Sequence, residues 1–265
     1  AKPFLRWAGG KGWAVRHVMN IVRNLDYNNY HEPFLGGGAM FFALQPNVAF
    51  LSDVNPRLVQ TYRAIKENQE SVVNALLNFP RGKEDYYTIR STKFEHEFEC
   101  AAQFIYLNQL CFNGLYRVNR KGEFNVPFGN RENHNFNLPN LRAVVQSLKN
   151  TDIYHRDFEA SLVDVRAGDL VFLDPPYTVS HNNNGFIEYN EKLFSMADQE
   201  RLSKFIAEVA RRNAYFILTN AAHDTIRDMF GSHGEIYEFS RPSLIAARNA
   251  NRGRYAELFI TNIQN

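Results

Sequence analysis

A carboxylate, two prolines and a tyrosine stand together at Asp174-Pro175-Pro176-Tyr177, directly after the apolar run Leu170-Val171-Phe172-Leu173. An acid at the carboxyl end of a central strand faces the crevice where α/β folds take their ligands. Pro175 and Pro176 carry no N–H, so regular structure makes fewer demands on their carbonyls. Asp174 and the Pro175 carbonyl can together accept both hydrogens of one amino group, and Tyr177 can lie flat on a planar ring. A strand stop with a turn-capping acid explains Asp-Pro-Pro alone. The tyrosine, and two features upstream, favour chemistry.

The first feature is Tyr30-His31-Glu32-Pro33-Phe34-Leu35-Gly36-Gly37-Gly38-Ala39-Met40, a strand end, a glycine turn and a helix start. The second is Asp53, which ends the next strand and can accept the two hydroxyls of a ribose. A tight βα turn with a helix-capping acid is the plainer account, but turn and acid as a pair point to a nucleoside. Phosphate chemistry fits poorly. The third glycine of a G-x-G-x-x-G fingerprint counted from Gly36 falls on Phe41. In Ala8-Gly9-Gly10-Lys11-Gly12, Leu5 replaces the first glycine of a phosphate loop and Gly12 its magnesium-binding Ser/Thr. A nucleoside cofactor without phosphates is expected.

The elements that must position these residues form an α/β pattern. Strands are predicted at Asn29-His31, Val48-Ser52, Ile153-His155, Leu170-Leu173, Tyr215-Thr219, Glu235-Phe239 and Ala256-Thr261, the last two as an antiparallel edge pair. Ser195 with Asp198 makes a capping-box start for a helix with Leu202, Phe205, Ile206 and Val209 on one face. Between Asn55 and about Asn150 only helices are expected. One opens at Pro56, one is marked by Val72, Val73, Leu76 and Leu77, one runs from about Glu95 to Phe112, and one opens at Pro139. The organisation expected is therefore a helical insertion at 56–150 between sheet-forming segments 1–55 and 151–265.

Composition excludes more than it selects. The 265 residues are 45% hydrophobic and 22% charged with a net charge of +2, which suits a globular chain and names no partner. The 22 Phe and 13 Tyr mostly supply core volume. Cys100 and Cys111 form no CxxC pair and have no His at metal spacing, so neither a disulfide framework nor a metal site is expected. No apolar signal core opens the sequence and no run reaches membrane-spanning length, from which a soluble, cytoplasmic protein is expected.

Taken in order, Phe4-Leu5-Arg6-Trp7-Ala8-Gly9-Gly10-Lys11, Glu32-Pro33-Phe34-Leu35-Gly36-Gly37-Gly38, Asp53 and Asp174-Pro175-Pro176-Tyr177 resemble the motifs of Dam-type DNA adenine-N6 methyltransferases. Asn113-Gly114-Leu115-Tyr116-Arg117 and Gly122-Glu123-Phe124-Asn125-Val126-Pro127-Phe128-Gly129 are similar to that family's DNA-reading segment. The resemblance runs over nearly the whole chain. It implies a Rossmann-like S-adenosylmethionine-dependent methyltransferase sheet with an inserted helical DNA-recognition domain.

By the same resemblance the cofactor is S-adenosylmethionine and the substrate double-stranded DNA, methylated by a monomer. Trp7 and Lys11 match positions at the cofactor's methionine end, Glu32, Pro33, Phe34, Gly36 and Gly38 lie beside it, and Asp53 takes the ribose. Asp157 and Phe158 match the place that holds its adenine, and Asp174 is expected to border the cofactor as well as the target. Asp174 and the Pro175 carbonyl localise the lone pair of the target N6 amine, Tyr177 stacks on the base, and the amine attacks the methyl directly. The target adenine is flipped from the duplex.

For DNA, the resemblance gives Leu115 as the wedge, Arg117 as the reader of a guanine edge and Pro127 as the contact to a thymine methyl, beside Asn113. Arg6 stands where the family often has the Lys associated with the first guanine of GATC, and Arg131 can share that contact. Arg120 and Lys121 suit phosphates. So do Arg248 and Arg252, in an acid-free stretch from Arg241 to Tyr255. The Asn-rich stretch at 180–190 is expected to order on DNA. A methyltransferase acting on RNA or protein glutamine usually shows Asn-Pro-Pro-Tyr and lacks the insertion. A silent DNA-binding regulator need not keep Asp174 and Tyr177.

Overall fold

The run Leu170–Leu173 is buried at all four positions. Such a run suits a strand covered on both faces, and it forms the middle of a seven-stranded sheet. The computed structural model describes residues 1–114, 116–119, 121–177, 194–242 and 254–264. Leu115, Arg120, Arg248, Arg252 and the 180–190 stretch lie outside the described residues.

The strands are β1 (Tyr30–Glu32), β2 (Ala49–Asp53), β3 (Thr151–His155), β4 (Leu170–Leu173), β5 (Tyr215–Ala221), β6 (Glu235–Pro242) and β7 (Arg254–Thr261). Their order is β3-β2-β1-β4-β5-β7-β6. β1 is parallel to β2 and β4, and β4 to β5. β7 is antiparallel to both β5 and β6, giving the expected edge pair. The order reverses between β1 and β4, which makes their carboxyl ends the switch point where α/β sheets bind ligands.

The helices are α1 (Val15–Ile21), α2 (Ala39–Leu44), α3 (Pro56–Asn78), α4 (Lys83–Ser91), α5 (Glu97–Leu110), α6 (Leu138–Leu148), α7 (Met196–Arg211) and α8 (Asp224–Phe230). Four of them, α3 to α6, separate β2 from β3 with no extended strand among the described residues. The two helices expected after Pro56 are one element, α3, broken at Asn68, where φ is −143° and ψ 51°. Helix α4 was not anticipated. No helix among the described residues is long and apolar enough to cross a membrane.

The chain divides into two compact units. One comprises Ala1–Gly12, Leu35–Asn47 and Ser52–His155. Its centre is α5, which buries Ala101, Ala102, Phe104, Ile105, Tyr106, Leu107 and Leu110, with Cys111 buried at its end. A helix buried on nearly all sides must satisfy its polar residues internally. Gln103 donates to the Ile89 and Thr92 carbonyls at 2.6 and 2.8 Å. Asn108 accepts from the Arg6 N–H and donates to the Arg6 carbonyl, both at 2.7 Å. The segment leading into Trp7 is thereby fixed to α5.

The other unit comprises Trp13–Phe34, Val48–Leu51 and Arg156–Asn265. Ser195 and Asp198 exchange the capping-box bonds that start α7, at 3.2 and 2.9 Å. Leu202, Phe205, Ile206 and Val209 of α7 then pack with Val171, Leu173, Phe216 and Leu218 of β4 and β5. Burial of each large side chain stabilises by about 1.5–3 kcal/mol. The His31 ring and Asp169 Oδ2 share a buried 2.8 Å hydrogen bond that fastens β1 to the residue before β4.

Candidate active site

Asp174 and Tyr177 follow β4 at the switch point, and each is held by a buried side chain. The Thr219 hydroxyl, from the parallel neighbour β5, donates to Asp174 Oδ1 at 2.7 Å. The Tyr177 hydroxyl donates to Glu257 Oε2 of β7 at 2.5 Å. Thr219 and Glu257 are wholly buried. Pro175 is buried and Pro176 exposed. Sequence reading missed both partners. The signal for Glu257 was an acid in the otherwise apolar run Ala256-Glu257-Leu258-Phe259-Ile260. Thr219 gave none, since threonine is an ordinary strand residue.

At the end of β1, Glu32 is buried and accepts the Tyr30 hydroxyl at 2.8 Å. Burial, with Glu32 beside it, pushes the Tyr30 phenol well above its ordinary value, so it stays a donor. Pro33 is buried, and the half-buried Phe34 stacks on Phe158 with centroids 5.3 Å apart. Phe158 is itself a core residue at 2% exposure, so the turn it opens presents backbone rather than its ring. Asp157 Oδ1 accepts the Glu159 N–H at 3.0 Å and an Arg201 N–H at 2.7 Å. Arg201 also grips Glu159 and Asp198 and lies over the Phe158 ring at 4.9 Å, which fixes this turn to α7.

In the other unit, the glycine turn closes on the end of β2. Asp53 Oδ2 accepts the Gly36 N–H at 3.0 Å and Oδ1 the Asn55 N–H at 2.9 Å. Burial raises the Asp53 carboxyl from its ordinary value, while the N–H groups of Gly36, Asn55 and Val54 favour the anion. Helix α3 is capped by Asn55, whose side chain accepts from Arg57 and Leu58. Gly36 has φ +47°, and a Cβ there would stand 2.7 Å from Trp7 Cδ1. Only glycine suits both demands. Lys11 is buried and donates to the Gly9 carbonyl at 3.2 Å.

Trp7 also stacks on Tyr116, with centroids 5.2 Å apart, and so joins the turn to the segment Asn113–Gly129. Arg6 packs on Gly114, where a Cβ would stand 2.2 Å from its Cδ. Asn113 (φ +57°), Arg117, Lys121 and Pro127 are exposed. Arg117 Nε donates to Asn125 Oδ1 at 2.9 Å, which aims its guanidinium. Arg131 is half-buried and reaches the Gln109 carbonyl at 3.4 Å. Phe112, not singled out in the sequence, is a 55% exposed aromatic ring beside Asn113.

The mostly parallel sheet with its antiparallel edge carries an acid at the end of β2 and Asp-Pro-Pro-Tyr directly after β4. The sequence matches the D12 class N6 adenine-specific DNA methyltransferase family over residues 7–248, and the chain belongs to that family. It is 32% identical over 275 residues to type II methyltransferase M1.LlaDCHI of Lactococcus lactis subsp. cremoris, covering 100% of this chain and 96% of that one. Type II methyltransferase M.MjaIII of Methanocaldococcus jannaschii is 36% identical over 274 residues, covering 94% and 93%. The DNA adenine methylase of Escherichia coli K12 is 30% identical over 232 residues, covering 85% and 82%.

The protein is thus an adenine-specific DNA methyltransferase whose methyl donor is S-adenosylmethionine. The residues present suit that donor. The Gly36 N–H is taken by Asp53 and the Gly38 N–H by the Leu35 carbonyl at 2.7 Å, so the turn is not built to cradle a pyrophosphate. Asp53 and Asp157 instead offer acceptors for hydroxyl and amino groups.

Proposed function

We propose that the enzyme methylates adenine N6 within 5′-GATC-3′ in duplex DNA, on a base flipped out of the helix. When bound, S-adenosylmethionine would supply a sulfonium methyl group, which the target amine takes by direct in-line attack as the S–C bond breaks to leave a thioether, one N–H proton then being released. Asp53 holds the ribose hydroxyls, Asp157 and the backbone at Phe158 the adenine, and Trp7, Lys11, Glu32, Pro33, Phe34, Gly36 and Gly38 surround the remainder. The Asp174 carboxylate and the Pro175 carbonyl accept the two hydrogens of the target amine. Pro176 continues the segment beyond β4, and Tyr177 stacks on the base. This localises a lone pair otherwise delocalised into the ring, and the rate comes from positioning and electrostatics. The single observation that carries the reading is the fixed place of Asp174 at the carboxyl end of β4, held by Thr219.

Residues 56–150 select the DNA. Arg117 and Arg6 read guanine edges, Arg131 shares the contact of Arg6, and Pro127 meets a thymine methyl. Leu115 enters the space left by the flipped base, beside Asn113, and the exposed Phe112 offers an apolar ring there. Arg120, Lys121, Arg248 and Arg252 neutralise phosphates. The enzyme works as a cytoplasmic monomer. The reading is tested with labelled-methyl S-adenosylmethionine and duplexes containing GATC or each single-base change of it. Label is expected at adenine N6 of GATC, with each change lowering kcat/KM by at least about tenfold. Equal transfer to every duplex would remove the GATC assignment, and label elsewhere than N6 the chemistry.

A further inference from the structure

Glu257 is wholly buried on β7, opposite Ala221 of β5. A carboxylate withdrawn from water is costly unless it is held by donors, and a strand core normally takes an apolar side chain there. Its Oε2 accepts the Tyr177 hydroxyl at 2.5 Å, across 80 residues of sequence. β7 is hydrogen-bonded on both edges, to β5 and to β6, so the acceptor stands on backbone with little freedom. Tyr177 leaves a proline-rich segment at the end of β4, and its ring can turn about two side-chain bonds. A hydrogen bond at the far end of the ring removes that freedom. A ring that must lie parallel to an incoming base then loses less entropy on binding.

We infer that Glu257 is a positioning residue of the methyl-transfer site, its carboxylate holding the Tyr177 ring in the plane against which the target base stacks. The inference rests on the reading of Tyr177 as the stacking residue. Glu257 touches no substrate in this account, and acts through the tyrosine.

The test is a double-mutant cycle on methyl transfer to a target duplex, with melting temperatures measured for every variant. Tyr177→Phe and Glu257→Ala are each expected to lower kcat/KM by about tenfold, because each deletes the same charge-assisted bond. The double variant falls no further than the worse single variant. Glu257→Gln keeps an acceptor and stays within about threefold of the unmodified enzyme. Should Glu257→Ala not fold, Tyr177→Phe reads the bond from its other end without disturbing β7. Full activity in Tyr177→Phe overturns the inference, as does an equal loss from Glu257→Ala with and without the tyrosine hydroxyl. Tyr177→Ala separates the two readings. If it loses activity while Tyr177→Phe keeps it, stacking stands and positioning by Glu257 falls; if Tyr177→Ala is fully active, the stacking role itself falls.

Discussion

The Thr219 hydroxyl donates to Asp174 Oδ1 at 2.7 Å from the strand beside the one that Asp174 ends. A hydroxyl fixed on a buried strand sets the plane of the carboxylate. Thr219→Val keeps shape and loses the donor. It is expected to lower kcat by about tenfold to a hundredfold, with Thr219→Ser within a few fold of the unmodified enzyme. Steady-state kinetics at saturating cofactor and DNA decide it, and an unchanged kcat in Thr219→Val speaks against the role.

The glycine turn is predicted to fail from either side. Asp53→Ala leaves the Gly36 and Asn55 N–H groups without their acceptor, a loss of about 1–3 kcal/mol of stability. Gly36→Ala meets both a left-handed backbone and the Trp7 ring, and should cost a similar amount. Urea unfolding measures both. Calorimetric titration of S-adenosylmethionine should show Asp53→Ala binding at least about tenfold more weakly.

Acid should loosen the β1–β4 junction. Burial alone raises the Asp169 carboxyl, but the His31 ring and the N–H groups of Arg166 and Asn29 hold it below its ordinary value. A depressed carboxylate contributes stability above its unfolded pKa of about 4 and loses it as pH falls through the lower folded value. Unfolding free energies measured from about pH 6 down to about pH 3 should therefore fall less steeply in Asp169→Asn, which starts lower at neutral pH.

Much of this was legible in the sequence, for local reasons. β4 is an unbroken apolar run, β5 opens on another at Tyr215–Leu218, and the Ser195–Asp198 box prints its own helix start. What stayed hidden depends on partners far along the chain. Asn108 reaches Arg6 over 102 residues, Glu257 reaches Tyr177 over 80, and Thr219 reaches Asp174 over 45. Only strand register and helix packing bring those pairs together. Helix α4 escaped because Tyr86 and Ile89 alone mark its buried face. The break at Asn68 escaped because asparagine within a helical run gives no sign that the backbone will leave the helix there.

Two exposed cations in the Asn113–Gly129 segment should behave differently. Arg117 is aimed by Asn125, which suits the base-reading role proposed for it. Arg117→Ala is expected to relax discrimination at a single base pair by about 1–3 kcal/mol. Lys121→Ala should weaken binding evenly across sequences and reduce the salt slope by about one. Fluorescence anisotropy on a panel of duplexes at several salt concentrations separates the two patterns.

In the proposed mechanism Asp174 holds the amine that takes the methyl group. Single-turnover transfer of labelled methyl to a saturating target duplex, read as N6-methyladenine by mass spectrometry, tests it most directly. Asp174→Ala is predicted to lower the transfer rate by at least about a hundredfold while S-adenosylmethionine remains bound. Transfer by Asp174→Ala at the rate of the unmodified enzyme would contradict the account.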